Sequence, residues 1–543
     1  MGSETNRYSF HLFEEEKSVK ALISFWEKND FSRRLFHKDW SLWMDALQPE
    51  ISDRLGWLEL PERMKERIEE IEIFSKEIRK ENISTLILIG MGGSSLAPEV
   101  FQRIFKKVSG FPELILCDST HPEAVKRLRK AVDLNSALFI VSSKSGTTLE
   151  TLSLYHYFWS EVKKEQKEPG HHFCAITDFG TPLMQEAQTK GFRKIFNPFP
   201  DVGGRFSAFT EFGLVPASLI GVDIRRLMVQ EKKIPDLSIG AVLGAVGEKR
   251  DKLTFITSES LKAFPCWLEQ LVAESLGKDG KGIIPVMDEP LLEREADYQD
   301  RLFVFFSLNG EDKEIKRYIK RTKEMEAPFI DIRLHNKYDV GKEIFNWEWA
   351  VAAAGSYLKI HPFNQPDVQA AKDFAKRAMK KMSENKTGLE DTAETFSIDD
   401  DITLEKAVGE WLSKAQNGDY VAVQAYLAPS ANAEQKIQKI REAFRKKLGI
   451  ATTMGYGPRY LHSTGQLHKG GPDKGLFLQI VDNPEKDIVI PGKNYTFKSI
   501  IKAQSLGDFQ ALKRKNRRVI RVDLKDHPLK GLSKLKKVID SGD

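Results

Sequence analysis

Leu86-Ile87-Leu88-Ile89-Gly90-Met91-Gly92-Gly93-Ser94-Ser95 and, further along, Leu138-Phe139-Ile140-Val141-Ser142-Ser143-Lys144-Ser145-Gly146-Thr147-Thr148 share one design. Each opens as a short apolar run that reads as a strand, breaks into small hydroxylated residues and continues into a helical stretch, over 97–105 and 149–162 respectively. Such a turn brings unpaired backbone N–H groups, hydroxyls and the positive end of a helix to one point, which suits a phosphate. Two of them in the same half of a chain point to a phosphorylated small molecule.

Outward from these turns the chain alternates. Apolar runs at 85–90, 113–117, 137–141 and 173–177 are separated by helical patterns, including 123–132 and 149–162. This βαβα rhythm predicts a parallel sheet covered by helices on both faces. Asn197-Pro198-Phe199-Pro200-Asp201-Val202-Gly203-Gly204 closes the unit as a linker, and the alternation restarts with strands at 253–257, 283–286, 302–306 and 329–332. Helices are expected at 313–324, 342–358 and 368–382. A polar, acidic stretch from 383 to 401 precedes a third α/β segment, with helices at 404–415 and 433–448 and strands at 420–427, 450–453 and 476–480. Ahead of all this, 11–80 carries helical periodicity with aromatic anchors. The predicted division is a helical N-terminal segment (1–60), two tandem units (61–220 and 221–385) and a C-terminal α/β segment (386–543). In open parallel sheets ligands sit outside the carboxyl ends of the strands, where both hydroxyl-rich turns lie.

At 543 residues, 41% apolar and 30% charged, the chain has the composition of an ordinary globular protein of several domains. Its 83 basic and 78 acidic residues leave a formal charge of +5, small for this length, which argues against nucleic acid or a membrane surface as partner. Cys117, Cys174 and Cys266 are odd in number and far apart, and read as reduced core thiols. The N-terminus is polar and no apolar run reaches membrane-spanning length, so a cytoplasmic protein is expected.

Lys144, among hydroxyls at a helix start, reads as a phosphate contact in preference to a solvated lysine. Glu150 reads as a helix-start charge. Arg205, in Gly203-Gly204-Arg205-Phe206-Ser207, offers a planar fork for an oxyanion, or equally an inter-domain ion pair. Gln270 and Glu274 share one face of a helix that is otherwise apolar. Glu274 is a helix-surface charge in the usual case, or a partly desolvated general base. Lys372 reads as a solvated helix residue. The Gly- and His-rich run 455–472 reads as a long functional loop, without zinc-ligand spacing. Lys513-Arg514-Lys515-Asn516-Arg517-Arg518 reads as a solvated cluster.

In this order the motifs resemble the glucose-6-phosphate isomerase family over roughly residues 40 to 385. The family's glycine signature resembles Gly90-Met91-Gly92-Gly93-Ser94, and its phosphate loop resembles Ser143-Lys144-Ser145-Gly146-Thr147-Thr148. Its arginine turn resembles Gly203 to Ser207, its glutamine- and glutamate-bearing helix resembles Gln270 to Lys278, and its late lysine motif resembles Asn364 to Lys372. The resemblance implies an α/β fold of two tandem sugar-isomerase (Rossmann-like, parallel-sheet) domains. It implies aldose–ketose isomerisation through an enediol, with Glu274 moving the proton, Arg205 stabilising the developing charge and Lys372 helping to open the sugar ring. Gly93, Ser94, Ser143, Lys144, Ser145, Thr147, Thr148 and Gln270 would bind the substrate. No cofactor and no metal is implied; the partners are a sugar phosphate and a second copy of the chain in a homodimer.

Two departures stand out. The family's ring-opening histidine has no matching motif between Glu274 and Lys372, and His335 lies in the wrong context. The tail resembles the end of bacterial transaldolase/glucose-6-phosphate isomerase fusions, yet the eight βα units of a transaldolase barrel are not found ahead of it. The tail is therefore expected to complete the isomerase site, with His468 as the substitute histidine and His462 behind it. Two alternatives stay open: an isomerase that also takes mannose 6-phosphate, and a sugar-phosphate sensor without catalysis.

Overall fold

The structure, a computed structural model, describes residues 7–229, 234–290, 298–368 and 394–541. The first strand, β1 (Tyr8–His11), belongs to the second of three sheets. The first sheet comprises β2 (Thr85–Gly90), β3 (Glu113–Cys117), β4 (Ala137–Ser142), β5 (Phe173–Ile176) and β6 (Lys194–Phe196), in the order β3-β2-β4-β5-β6, all parallel. Every residue of β4 is buried, as expected for a strand covered on both faces.

The second sheet contains β7 (Lys252–Thr257), β8 (Ile284–Val286), β9 (Arg301–Leu308) and β10 (Phe329–Leu334), ordered β1-β10-β9-β7-β8. The third contains β11 (Phe396–Ser397), β12 (Tyr420–Tyr426), β13 (Ala451–Tyr456), β14 (Gly475–Val481) and β15 (Arg518–Asp523), ordered β11-β15-β14-β12-β13. β2, β7 and β12 play one role in their sheets. The next strand in sequence pairs on one side of each, and the one after it pairs on the other side. The strand order thus reverses at the same place in all three sheets, which is the topological switch point where open α/β sheets bind ligands.

Strand and helix positions in the first two units follow the sequence reading closely. Lys313–Glu324 is helical as predicted, and the long helix runs Asp339–Leu358. Three differences have physical causes. The N-terminal segment opens with a strand, not a helix, because Tyr8 and Phe10 pack against the core while the backbone pairs antiparallel with the exposed edge of β10. The run 455–472 is no open loop: Arg459–His462 forms a 3₁₀ turn and Gly465–Gly470 a short, fully buried helix. Residues 513–516 are exposed as expected, but the last two of the cluster are not solvated: Arg518 begins β15 and chelates Asp419 at 2.5 and 3.0 Å, while Arg517 pairs with Asp473 at 3.0 Å.

One apolar core runs beneath the first two sheets, joining Trp26 and Trp57 of the N-terminal segment to Leu88, Leu268 and Trp349. The third unit has its own core around Trp411, Val421, Phe444 and Leu478. A separate cluster, including Ala273, Ile284, Tyr420, Leu467 and Phe477, seals it against the second unit. No helix among the described residues is long and apolar enough to cross a membrane.

Among the described residues, the core holds an acid with no counter-charge or hydrogen-bond partner. Glu348, on the helix Asp339–Leu358, is buried, and neither carboxyl oxygen has a hydrogen-bond partner. Burial raises its carboxyl well above the usual 4.5. A raised folded-state value means that unfolding releases a proton above about pH 4.5, so the stability belonging to the protonated acid is lost as pH rises. Wild-type stability should therefore fall by up to ~1.4 kcal/mol per pH unit more steeply than that of Glu348→Gln above that pH. Urea unfolding of both proteins across pH 5 to 8, with parallel slopes as the contrary result, checks this.

Candidate functional site

The two hydroxyl-rich turns leave the first sheet side by side, because Gly90 at the end of β2 is in register with Ser142 at the end of β4. Ser142 Oγ donates to the Ser94 carbonyl (3.0 Å) and ties the turns together. The second turn is a hydroxyl ring: Ser143 and Thr148 share a hydrogen bond (2.9 Å), as do Ser145 and Thr147 (3.0 Å). Ser145 and Thr147 are solvent-exposed in front of the helix Leu149–Glu165, whose first-turn amides face the same space. Lys144 behaves differently from its sequence reading. Its Nζ turns away to Asp178 (2.7 Å) and the Pro200 carbonyl (3.1 Å), so only its backbone remains at the cradle.

The first turn meets the arginine turn at the closest backbone contact of the site. A Cβ on Gly93 would lie 1.9 Å from the Gly204 carbonyl oxygen, so no other residue fits there. Arg205 then enters the interior. Its Nε donates to Ser275 Oγ (2.8 Å), Nη1 reaches Gln365 Oε1 (3.0 Å) and Glu274 Oε1 (3.1 Å), and Nη2 donates to the carbonyls of Pro362 (2.6 Å) and Asn364 (2.9 Å). All five guanidinium N–H donors are thereby used. Burial lowers this guanidinium below its ordinary value, and the Glu274 carboxylate opposes that shift. Beside it Lys278, held well below the usual lysine range by burial and then by Arg205, donates to the His361 carbonyl (2.5 Å).

Glu274 sits near the carboxyl end of the helix Phe264–Leu276, its side chain 12% exposed in an otherwise buried surround. Gln270, one turn earlier, donates from Nε2 both to Glu274 Oε2 and to the His462 carbonyl, each at 2.9 Å. Gln270 Oε1 is buried without a partner. Gly92, at φ +54°, packs against both the Gln270 amide and His462, so the glycine turn, the Glu274 helix and the tail meet at one point. The His462 ring reaches back to the cradle, with Nε2 2.8 Å from Glu150 Oε1.

Two residues that join the site together were not legible as such in the sequence. Glu150 is a buried acceptor for His462 and for Gln504 Nε2 (2.6 Å), not a solvated helix-start charge. Gln466 holds the Asp367 amide (2.9 Å), the Asp367 carboxylate (2.8 Å) and the Gly277 carbonyl (3.1 Å), so the tail clamps both the C-cap of the Glu274 helix and the helix start at 366–368. Their one sequence signal is buried polarity, which periodicity cannot distinguish from surface polarity.

The structure does not bring His468 to this cluster. Its Nδ1 meets Gln424 (3.1 Å), its ring packs on Tyr460 and Phe477, and burial holds it well below the ordinary histidine range and therefore uncharged. His462 is the tail histidine that reaches the site. His335 contributes its backbone amide to Asp339 (2.8 Å) in the second unit, away from this cluster. Lys372 lies outside the described residues. Among the described residues, no group of three or more His, Cys, Asp or Glu side chains could hold a metal ion.

Known proteins resemble this chain in sequence and in fold. Residues 57–237 match the family model described as phosphoglucose isomerase. The glucose-6-phosphate isomerase of Methanocaldococcus jannaschii is 29% identical over 343 residues, covering 54% of this chain and 84% of that protein. That of Carboxydothermus hydrogenoformans is 26% identical over 434 residues, covering 66% and 87%. In fold, the chain is similar to a crystal structure of a glucose-6-phosphate isomerase from Chlamydia trachomatis, with a TM-score of 0.58 at 18% identity over 69% of this chain and 89% of that one. The fold of that protein is thus shared over about two thirds of this chain.

The Gly93 contact supplies a direct test of how the loops are registered. Gly93→Ala should drive the two turns apart, costing ~1–3 kcal/mol in chemical denaturation and lowering affinity for a sugar phosphate. Gly204→Ala, whose Cβ meets nothing within 4 Å, should leave both near wild type.

Proposed function

We infer that this chain, a relative of the glucose-6-phosphate isomerases, catalyses the reversible aldose–ketose isomerisation of glucose 6-phosphate and fructose 6-phosphate. The observation that carries this reading is the pairing of Glu274, a partly exposed carboxylate, with a buried arginine beside a hydroxyl cradle at a sheet switch point.

In this reading Ser143, Ser145, Thr147, Thr148 and the backbone of Lys144 hold the phosphate, with Gly93 and Ser94 closing one wall. Binding at that remote end fixes C1 and C2 of the sugar near Glu274, a positioning effect worth ~7 kcal/mol or more in ideal cases. Glu274 removes a proton from one of these carbons and returns it to the other. The electron pair left behind forms the enediol, whose oxygens carry the developing negative charge. Arg205 is already desolvated and fixed by its other acceptors, so it stabilises that charge without reorganising. The unpartnered Gln270 Oε1 is an acceptor that a sugar hydroxyl can satisfy.

Ring opening falls to His462, with Lys372 as the expected second group. A carboxylate at Nε2 favours the tautomer with the proton on Nε2 and leaves Nδ1 as the basic nitrogen; this assignment follows from the hydrogen-bond geometry. The Glu150–His462 pair is then a carboxylate-oriented base supplied by the tail within the same chain. The chain's own residues supply the proton transfer and charge stabilisation of this route. Assembly as a homodimer belongs to the same proposal, by analogy with the family and because two-fold pairs are the commonest assemblies.

Glu274→Gln keeps an acceptor for Arg205 and should fold normally, bind fructose 6-phosphate and lose ~10²–10⁴-fold or more in turnover. The check is a coupled assay of glucose 6-phosphate formation, and near wild-type turnover would end the assignment. His462→Ala should slow the cyclic substrate more than an open-chain analogue, whereas His468→Asn should leave that ratio unchanged. Equal losses on both substrates in His462→Ala would remove its ring-opening role. A panel including mannose 6-phosphate fixes the substrate range.

A further inference from the structure

The third sheet has a switch-point crevice of its own, which the isomerase site does not use. Tyr426, Val481, Asp523 and Ser397 end β12, β14, β15 and β11 at the same level, since Tyr426 is in register with Val481, Val481 with Asp523 and Asp523 with Ser397. Above them lies a cavity of about 480 Å³, within the size range of small-molecule sites.

Its chemistry is cationic. Arg521, on β15, lines the cavity and is 5% exposed. It donates to two neutral acceptors, Gln479 Oε1 and Ser505 Oγ (3.0 Å), and among the described residues no carboxylate forms an ion pair with it. Burial pulls its guanidinium down to about 10, and the more distant Asp523 and Asp508 carboxylates oppose that shift without cancelling it. Lys498, Lys502 and Ser505 lie at i, i+4 and i+7 on the helix Phe497–Arg514, and all three line the cavity. Lys502 feels the Arg521 charge, which with burial lowers its ammonium below the ordinary value.

The acids at the rim have partners of their own. Asp523 is paired with Lys525 (2.9 Å), and Asp482 accepts from His121 of the first unit (3.0 Å). Three basic groups, one deeply buried, therefore converge on the carboxyl edge of a parallel sheet whose rim carboxylates, Asp482 and Asp523, are already engaged. A buried charge left without a partner is costly, and an arginine fork beside ammonium groups matches a doubly charged phosphoryl group.

We propose that this crevice of the third unit is a second ligand site, separate from the isomerase centre, and that it takes a small phosphate monoester with its phosphoryl group between Arg521, Lys498 and Lys502. The hydroxyls of Ser397 and Thr395 at the other wall suit the polar remainder of such a molecule.

Equilibrium dialysis of the full chain against radiolabelled inorganic phosphate tests this. The wild type should bind two equivalents per chain: one lost in a Ser145→Ala/Thr147→Ala variant of the first cradle, the other weakened ~10-fold or more in Lys498→Ala/Lys502→Ala. Arg521→Met, which keeps the stem and removes the charge, should weaken the same equivalent. Retention of both equivalents in the lysine variant, or a wild type that binds one equivalent abolished by the cradle variant, would overturn the proposal. Fructose 6-phosphate turnover by the lysine variant should match wild type, so that failure here is distinguishable from failure of the isomerase assignment.

Discussion

The site rests on the saturated guanidinium of Arg205. A buried arginine is tolerable only if every N–H finds an acceptor, because an unmade hydrogen bond in the interior costs more than a made one contributes. Here the acceptors come from Glu274 and Ser275 of one helix and from Pro362, Asn364 and Gln365 of the loop leading to residue 366. Satisfying one side chain therefore fixes three segments distant in sequence against one another. It also fixes the Glu274 carboxylate, the proposed base, before any substrate arrives.

The third unit belongs to the same constraint. Its short helix Gly465–Gly470 lies against the end of the Glu274 helix so closely that a Cβ on Gly277 would fall 2.6 Å from Leu467 Cα. The segment is anchored behind by Lys469, whose Nζ meets Asp508 Oδ1 at 2.6 Å in the interior, and in front by Arg459, which bridges Glu99 and Asp118 of the first unit. The tail is thus a structural wall of the isomerase centre, and it brings His462 and Gln466 with it.

Much of the fold was legible because parallel strands buried on both faces must be apolar runs, and Leu86 to Ile89 and Leu138 to Val141 announce them. The hydroxyl-rich turn was legible because it is local, made by consecutive residues at one strand end. The contacts that join units were not. Nothing in the neighbourhood of Glu150 distinguishes a buried partner of His462 and Gln504 from a solvated carboxylate at a helix start. The helix Phe497–Arg514 buries Gln504, Ser505 and Asp508 alongside its apolar residues, and this mixed face hides its periodicity. Arg517 and Arg518 read as solvent-facing because their acceptors, Asp473 and Asp419, are distant in sequence. The third unit therefore gave the weakest signal although it shares the strand order of the second.

The choice between the two tail histidines turns on the same distinction between local pattern and long-range packing. His468 has the more suggestive neighbours in sequence, but its helix lies wholly in the seam and burial keeps the imidazole uncharged among Tyr460, Phe477 and Gln424. Ser463, at φ −144° and ψ −93°, breaks the helical course between the two and lets His462 face the opposite way. A ring-opening group has to exchange a proton near neutral pH, so it needs a carboxylate partner and some access to solvent. His462, 15% exposed and paired with Glu150, has both, and its place at the candidate site is set by a backbone turn that no motif encodes.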